Sequence, residues 1–218
     1  MERINSKGEK WIMKKIFLSI LFLFILSACS NEENISTSEN QIPDTKNVEI
    51  PSIIFSSDKQ NSVIDEKEMK SSIKTYLDTY EALQLASYPF QEMIDEEKEL
   101  TKSELEKLDQ IYRLTKENDE NFSNYISQNT LPEGYLEESE RISRYITGVN
   151  EIIYEIDTML NQLTDDIEKE VIPTVNFDSI NKKSDVVNGR EQKKIEEFLE
   201  RKNIDTKAFG KNSQGKTE

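Results

Sequence analysis

Arg141 to Ile167 reads RISRYITGVNEIIYEIDTMLNQLTDDI, and this stretch decides the fold. Ile142, Ile146, Val149, Ile153, Ile156, Leu160, Leu163 and Ile167 follow one another at steps of 4, 3, 4, 3, 4, 3 and 4. Such spacing lays one apolar seam along a helix, as in a coiled coil or an antiparallel bundle. From Tyr135 to Val171 the helix would have 37 residues, about 55 Å at 1.5 Å per residue. Pro173 closes it.

Working upstream, a second long helix has the clearest start in the chain. Thr101 with Glu104 makes a capping box, and Leu100 with Leu105 supplies the flanking hydrophobic staple. Its stripe runs Leu105, Leu108, Tyr112, Thr115, Asp119, Phe122 and Ile126, widened by Ile111, Leu114 and Tyr125. It ends near Gln128, before the turn Asn129-Thr130-Leu131-Pro132-Glu133-Gly134. An earlier helix begins near Asp65, with Met69, Ile73, Tyr76, Tyr80 and Leu83 on one stripe. Pro89 is expected to end or kink it, leaving a short polar helix from Phe90 to about Lys98 with Phe90 and Ile94 inward. Downstream, a loop from Thr174 to Val187 leads to a capping box at Asn188 and Glu191. A short amphipathic helix follows with Ile195, Phe198 and Leu199 on one face, then Ile204 and Phe209 before a fraying end.

With almost no strand pattern, the expected fold is all-α: an elongated antiparallel three-helix bundle or helical hairpin with a short C-terminal amphipathic helix. Its expected divisions are a signal peptide (1–28), a lipidated cysteine and disordered tether (29–62), the helical bundle (63–172) and a linker, short helix and tail (173–218). The tether, SNEENISTSENQIPDTKNVEIPSIIFSSDKQNS, is rich in Ser, Asn, Thr and Glu. The apolar patch Ile50 to Phe55 interrupts it. Such a patch most often docks on its own domain, less often on a partner.

The N-terminus carries an address. Lys7, Lys10, Lys14 and Lys15 precede an apolar core from Ile16 to Leu26, which has the length of a secretory signal's hydrophobic region. That core is far shorter than the roughly 20 residues a spanning helix needs. Leu26-Ser27-Ala28-Cys29 then looks like a bacterial lipobox, which implies that Cys29 is acylated and becomes the first mature residue. Either Met1 or Met13 could be the true start, since MKKIFLSILF from Met13 makes a tidier signal. The expected location is the extracytoplasmic face of the cell membrane.

Charge narrows the partners. Residues 1–28 hold five basic and two acidic side chains, so of 28 basic and 43 acidic in the whole chain 23 and 41 remain, a net charge of −18. Nucleic acid is excluded as a general partner, because phosphate binding needs a basic surface. Residues 181–218 hold ten basic and seven acidic residues, a local net charge of +3. The basic helix therefore either folds back on the acidic body, the preferred reading, or docks on a partner or membrane surface.

Chemistry is limited by what the chain lacks. It has no histidine and one cysteine, Cys29. Histidine-assisted nucleophilic catalysis and the usual zinc ligation are thereby removed. Asp95-Glu96-Glu97 and Asp165-Asp166 with Glu168 read as solvated faces, since consecutive acids on a helix point in different directions. No catalytic residue, metal or cofactor is expected.

Asn118 and Asp119 are the polar residues out of place, for both fall on the apolar face beneath Phe122. In a hairpin turning near residue 130, Asp119 lies level with Arg141, and Tyr145 sits one turn later. Pairing of Asp119 with Arg141 or the Tyr145 hydroxyl is expected, because an unpaired buried carboxylate is heavily penalised. Such a contact would set the helix register; the alternative is a ligand or partner site.

The lipobox at Cys29, the Asn118-Asp119-x-x-Phe122 motif and the run VNGREQKKIEEFLERKNIDTKAF (Val187 to Phe209) resemble the Gram-positive lipoproteins named for an NDxxF motif. The layout is also similar to cell-wall-binding lipoproteins with a helical ectodomain. The resemblance implies a surface location and marks Asn118, Asp119 and Phe122; the family has no assigned activity. The expected function is non-catalytic interaction with an envelope protein or wall polymer, with self-association through the third helix open. The alternatives are a small-ligand-binding lipoprotein and a carboxylate-dependent envelope enzyme.

Overall fold

A computed structural model describes residues 45–95, 98–168 and 177–210. Among the described residues the protein is all-α. Its helices are α1 (Glu66–Asp95), α2 (Lys102–Gln128), α3 (Leu136–Glu168), α4 (Asp178–Lys183) and α5 (Gly189–Arg201). A 3-10 turn (Ala208–Gly210) follows, and one isolated parallel bridge joins Val63 to Thr130. Residues 1–44, which include the expected signal peptide and Cys29, as well as Val171, Pro173 and the tail from 211, lie outside the described residues.

The chain divides into two compact units. The larger, the body, comprises residues 43–150 and 185–218. The described part of the smaller one comprises residues 151–168 of α3, with α4 and its flanks. There Lys183 Nζ lies 2.6 Å from Glu155 Oε1 and 3.5 Å from Glu151 Oε2. Ser179 Oγ donates to the same Glu155 oxygen at 2.8 Å. Helix α4 lies in the stretch read as a loop. Along the seam Ile153 and Ile156 are half-buried. The side chains of Leu160, Leu163 and Ile167 are not among those described.

In the body, α1 and α2 form an antiparallel hairpin. Tyr125 reaches Glu68 near the start of α1, and Asp119 reaches Tyr76 at its middle. Leu83, Ala86 and Phe90 meet Leu108 and Ile111 toward its end. Helix α3 runs parallel to α1, since the Tyr135 hydroxyl donates to Glu66 and the Gln84 amide donates to Asn150. Helix α5 returns antiparallel to α3: Arg141 contacts Glu191, while Arg201 contacts Glu138. Ile195, Phe198 and Leu199 are buried, so the basic helix folds back on the body. Its Glu191 pairs with Arg141 of α3, and Lys202 at its C-terminal end pairs with Glu66 of α1.

Three further expectations change. Helix α1 continues through Pro89 to Asp95 as one element, and there is no separate polar helix. Phe90 is buried as expected, but Ile94 is exposed. Continuity puts Phe90 seven residues after Leu83, on the same face. Burying those two side chains at about 2–3 kcal/mol each offsets the roughly 3 kcal/mol that an internal proline costs. At α5 only half of the capping box forms. Asn188 Oδ1 accepts from the N–H groups of Arg190 and Glu191, but the Glu191 carboxylate turns to Arg141 and Lys194. Finally, residues 45–62, read as part of a disordered tether, lie against α2, and the Ile50–Phe55 patch docks on its own domain with Phe55 buried.

Candidate functional site

The candidate site grows from α2. Its capping box is complete, with the Thr101 hydroxyl accepting from Glu104 N–H and the Glu104 carboxylate accepting from Thr101 N–H. Because that start is set locally, Asn118, Asp119 and Phe122 fall within one turn on one face. All three are buried.

All three side chains of the motif meet Tyr76 of α1, and together they also reach Phe55 and Asn150. Asn118 Oδ1 accepts from Phe55 N–H at 3.0 Å, while its Nδ2 donates to Tyr76 O at 3.3 Å. Asp119 Oδ1 accepts from the Tyr76 hydroxyl at 2.8 Å, and Oδ2 accepts from Asn150 Nδ2 at 2.8 Å. Asn150 Oδ1 in turn accepts from Gln84 Nε2 at 3.2 Å. The Phe122 ring stacks on Tyr76 with centroids 4.1 Å apart and planes within 3°. Phe55 meets Phe122 edge-on at 5.3 Å and Tyr125 at 5.3 Å. Burial pushes the Tyr76 hydroxyl well above its ordinary pKa, and the neighbouring Asp119 charge pushes it further. Tyr76 therefore stays protonated and remains a donor.

Arg141 and Tyr145 are not part of this cluster, so the expected pairing with Asp119 does not form. The Arg141 guanidinium contacts Glu191 at 2.6 Å and Glu137 and Glu138 at 3.0 Å each. The Tyr145 hydroxyl donates to Gln192 Oε1 at 3.2 Å. Both residues hold α5. The α3 partner of Asp119 is Asn150, nine positions beyond Arg141 and about 13 Å further along a helix. The reason is the turn. Helix α2 stops at Gln128 and α3 starts only at Leu136, with Gly134 at φ +77° between them, so the hairpin does not fold symmetrically about residue 130.

Sequence reasoning passed over Phe55, Asn121 and Asn150 as site residues. Asn150 had a signal, being four residues after Ile146 and three before Ile153, a polar residue at the edge of the seam.

The segment from Thr45 to Asp65 is a strap running along α2. At its start, the Thr45 hydroxyl donates to Glu104, and Lys107 Nζ donates to Lys46 O at 2.8 Å. Hydrogen bonds from Thr101, then from Thr45, lower the Glu104 pKa to about 2. At its middle, Asn121 Nδ2 donates to Phe55 O at 2.9 Å, beside the Asn118 contact. At its end, Asn61 N–H donates to Gln128 O, Ile64 N–H donates to Thr130 O, and Thr130 N–H donates to Ser62 O. The Asn129 side chain joins that end through Lys59 O and Ser62 N–H.

Two surface clefts flank these elements. One, of about 530 Å³, lies between the strap and α1 and is lined by Val48, Ile50, Pro51, Ala82, Leu85 and Ala86. The other, of about 280 Å³, lies between α5 and the residues after it, with Leu199, Ile204 and Phe209 among its walls and Glu196, Glu200 and Asp205 among its acids. Among the described residues no group of three or more metal-ligating side chains could hold an ion, and no helix is long and apolar enough to cross a membrane. Compared with family models, curated proteins and solved structures, the chain matches none.

Proposed function

We propose that the protein is an extracytoplasmic lipoprotein, held to the membrane by lipid on Cys29, whose helical body works by contact with an envelope protein or a wall polymer rather than by catalysis. The observation that supports this reading is the strap. It is the segment that leads from Cys29 into the helices, and α2 grips it at Thr45, at Phe55 and again from Lys59 to Ile64. An anchored protein needs its tether joined to its working part, and the Asn118-Asp119-x-x-Phe122 motif makes the central contact. Arg190, Lys193, Lys194 and Arg201 stay exposed on α5, so the basic helix keeps a cationic face that suits an anionic wall polymer. Self-association through α3 is a further part of this reading, checked by light scattering on the soluble ectodomain.

Labelled palmitate fed to a Gram-positive host expressing the full chain tests the anchor. Wild type should carry label and sediment with membranes, and Cys29→Ala should do neither. Crosslinking on intact cells should then capture a discrete partner with wild type. An unlabelled wild-type chain that washes free of membranes with its leader attached would refute the anchor. A body that captures nothing would refute the interaction.

A further inference from the structure

The strap is bound as an extended peptide is bound. Asn118 and Asn121 engage both backbone groups of a single residue, accepting from Phe55 N–H and donating to Phe55 O. The Phe55 ring lies 5.3 Å from Phe122 and 5.3 Å from Tyr125. Main-chain bonds around an aromatic anchor supply affinity and specificity separately, the usual division in peptide recognition. The seat is already formed on the helix side. Asn118 is 1 % exposed and its amide is oriented by Tyr76 O, while Phe122 is held by stacking on Tyr76. Beyond the seat the strap turns at Asn61, at φ +51°, whose N–H donates to Gln128 O ahead of the main-chain bonds at Ser62 and Ile64.

We propose that the face of α2 bearing Asn118, Asn121, Phe122 and Tyr125 is a peptide seat, filled in cis by the chain's own strap and in trans by the strap of a second copy when the first lifts. A second copy is the occupant because its residues 50–60, IPSIIFSSDKQ, carry the same aromatic ring and the same backbone groups that the seat engages. Exchange of one identical element between two copies needs no new complementarity. The inference concerns the body alone and stands whether or not Cys29 carries lipid.

A fluorescein-labelled synthetic peptide of residues 50–60 is titrated by anisotropy against the full chain carrying Phe55→Ala, whose seat lacks its anchor. Saturable binding is expected, with wild type about tenfold weaker because its seat is filled, and with Asn121→Ala added to the variant also about tenfold weaker. No binding by a Phe55→Ala chain with a wild-type helical circular-dichroism spectrum overturns the proposal, as does equal binding by wild type. Mixing the Phe55→Ala chain with an Asn121→Ala chain should yield dimer mass by light scattering beyond that of either alone; its absence overturns the second copy as occupant. Should Phe55→Ala lose helicity, hydrogen exchange on wild type decides. The Phe55 amide, bonded to Asn118, exchanging about tenfold faster than the buried amides of α1 and α2 supports a strap that lifts, and exchange in step with the helices overturns it.

Discussion

Asp119 illustrates what one buried carboxylate does when it has partners on two other helices. Its oxygens accept from Tyr76 on α1 and Asn150 on α3, so replacement by alanine leaves two donors in the interior without that acceptor. Each such donor costs about 1–3 kcal/mol, so Asp119→Ala should lower unfolding free energy by about 2–4 kcal/mol in urea denaturation. A change under about 0.5 kcal/mol would remove Asp119 from the set of structural residues. Arg141→Ala tests a different joint. It should leave the Asp119 cluster intact but free α5, lowering Tm by about 2–4 °C and raising hydrogen exchange in residues 189–201. That Asp119 points inward was legible in the sequence, because helical periodicity is local. Its partner was not, because the α2–α3 turn and the stagger of α3 set which residues come level.

At the scale of elements, helix starts were the most readable feature. The Thr101–Glu104 box depends on residues three apart and forms as its letters suggest. The helix expected to begin anew at Phe90 fails to separate for the opposite reason: what carries α1 across Pro89 is Phe90 packing against α2, which lies beyond the end of α1 in sequence. Gly148 gives a sharper test of packing between elements. A Cβ built there would lie 2.7 Å from Val187 Cγ2, ahead of α5. Alanine gains about 1 kcal/mol of helix propensity, yet overpacking a β-branched neighbour costs about 1–3 kcal/mol. Gly148→Ala should therefore destabilise by about 1 kcal/mol net, and pairing it with Val187→Ala should recover the loss in the same urea assay. A stabilised single variant would show that Val187 moves aside freely.

For the molecule as a whole, titration reports on the strap. Glu104 has its pKa lowered from the ordinary 4.5 to about 2, so its ionised form is favoured in the folded state. Its contribution is therefore fully present above about pH 4.5 and is lost as pH falls through 2. Protection of the amides near Thr45 should fall across that window in hydrogen-exchange measurements, and Glu104→Gln should flatten the dependence. Protection that stays constant down to pH 2 would separate Glu104 from strap retention. Between pH 6 and 8 little change in stability is expected, because the chain has no histidine to titrate there.

The sequence by itself determined that the body is helical, where α2 starts and that Asn118, Asp119 and Phe122 turn inward, although Leu105 and Tyr112 of the expected stripe are exposed, because periodicity and capping are relations between residues within a few positions. It also carried the lipobox-like stretch ending at Cys29, on which the proposed anchor rests. Only the tertiary structure decided that Asp119 meets Tyr76 and Asn150, that α1 crosses Pro89, and that part of a polar-looking tether becomes a strap. Those outcomes depend on which distant backbone groups and rings come into contact, and contact at that range follows from turn geometry and burial rather than from local residue order.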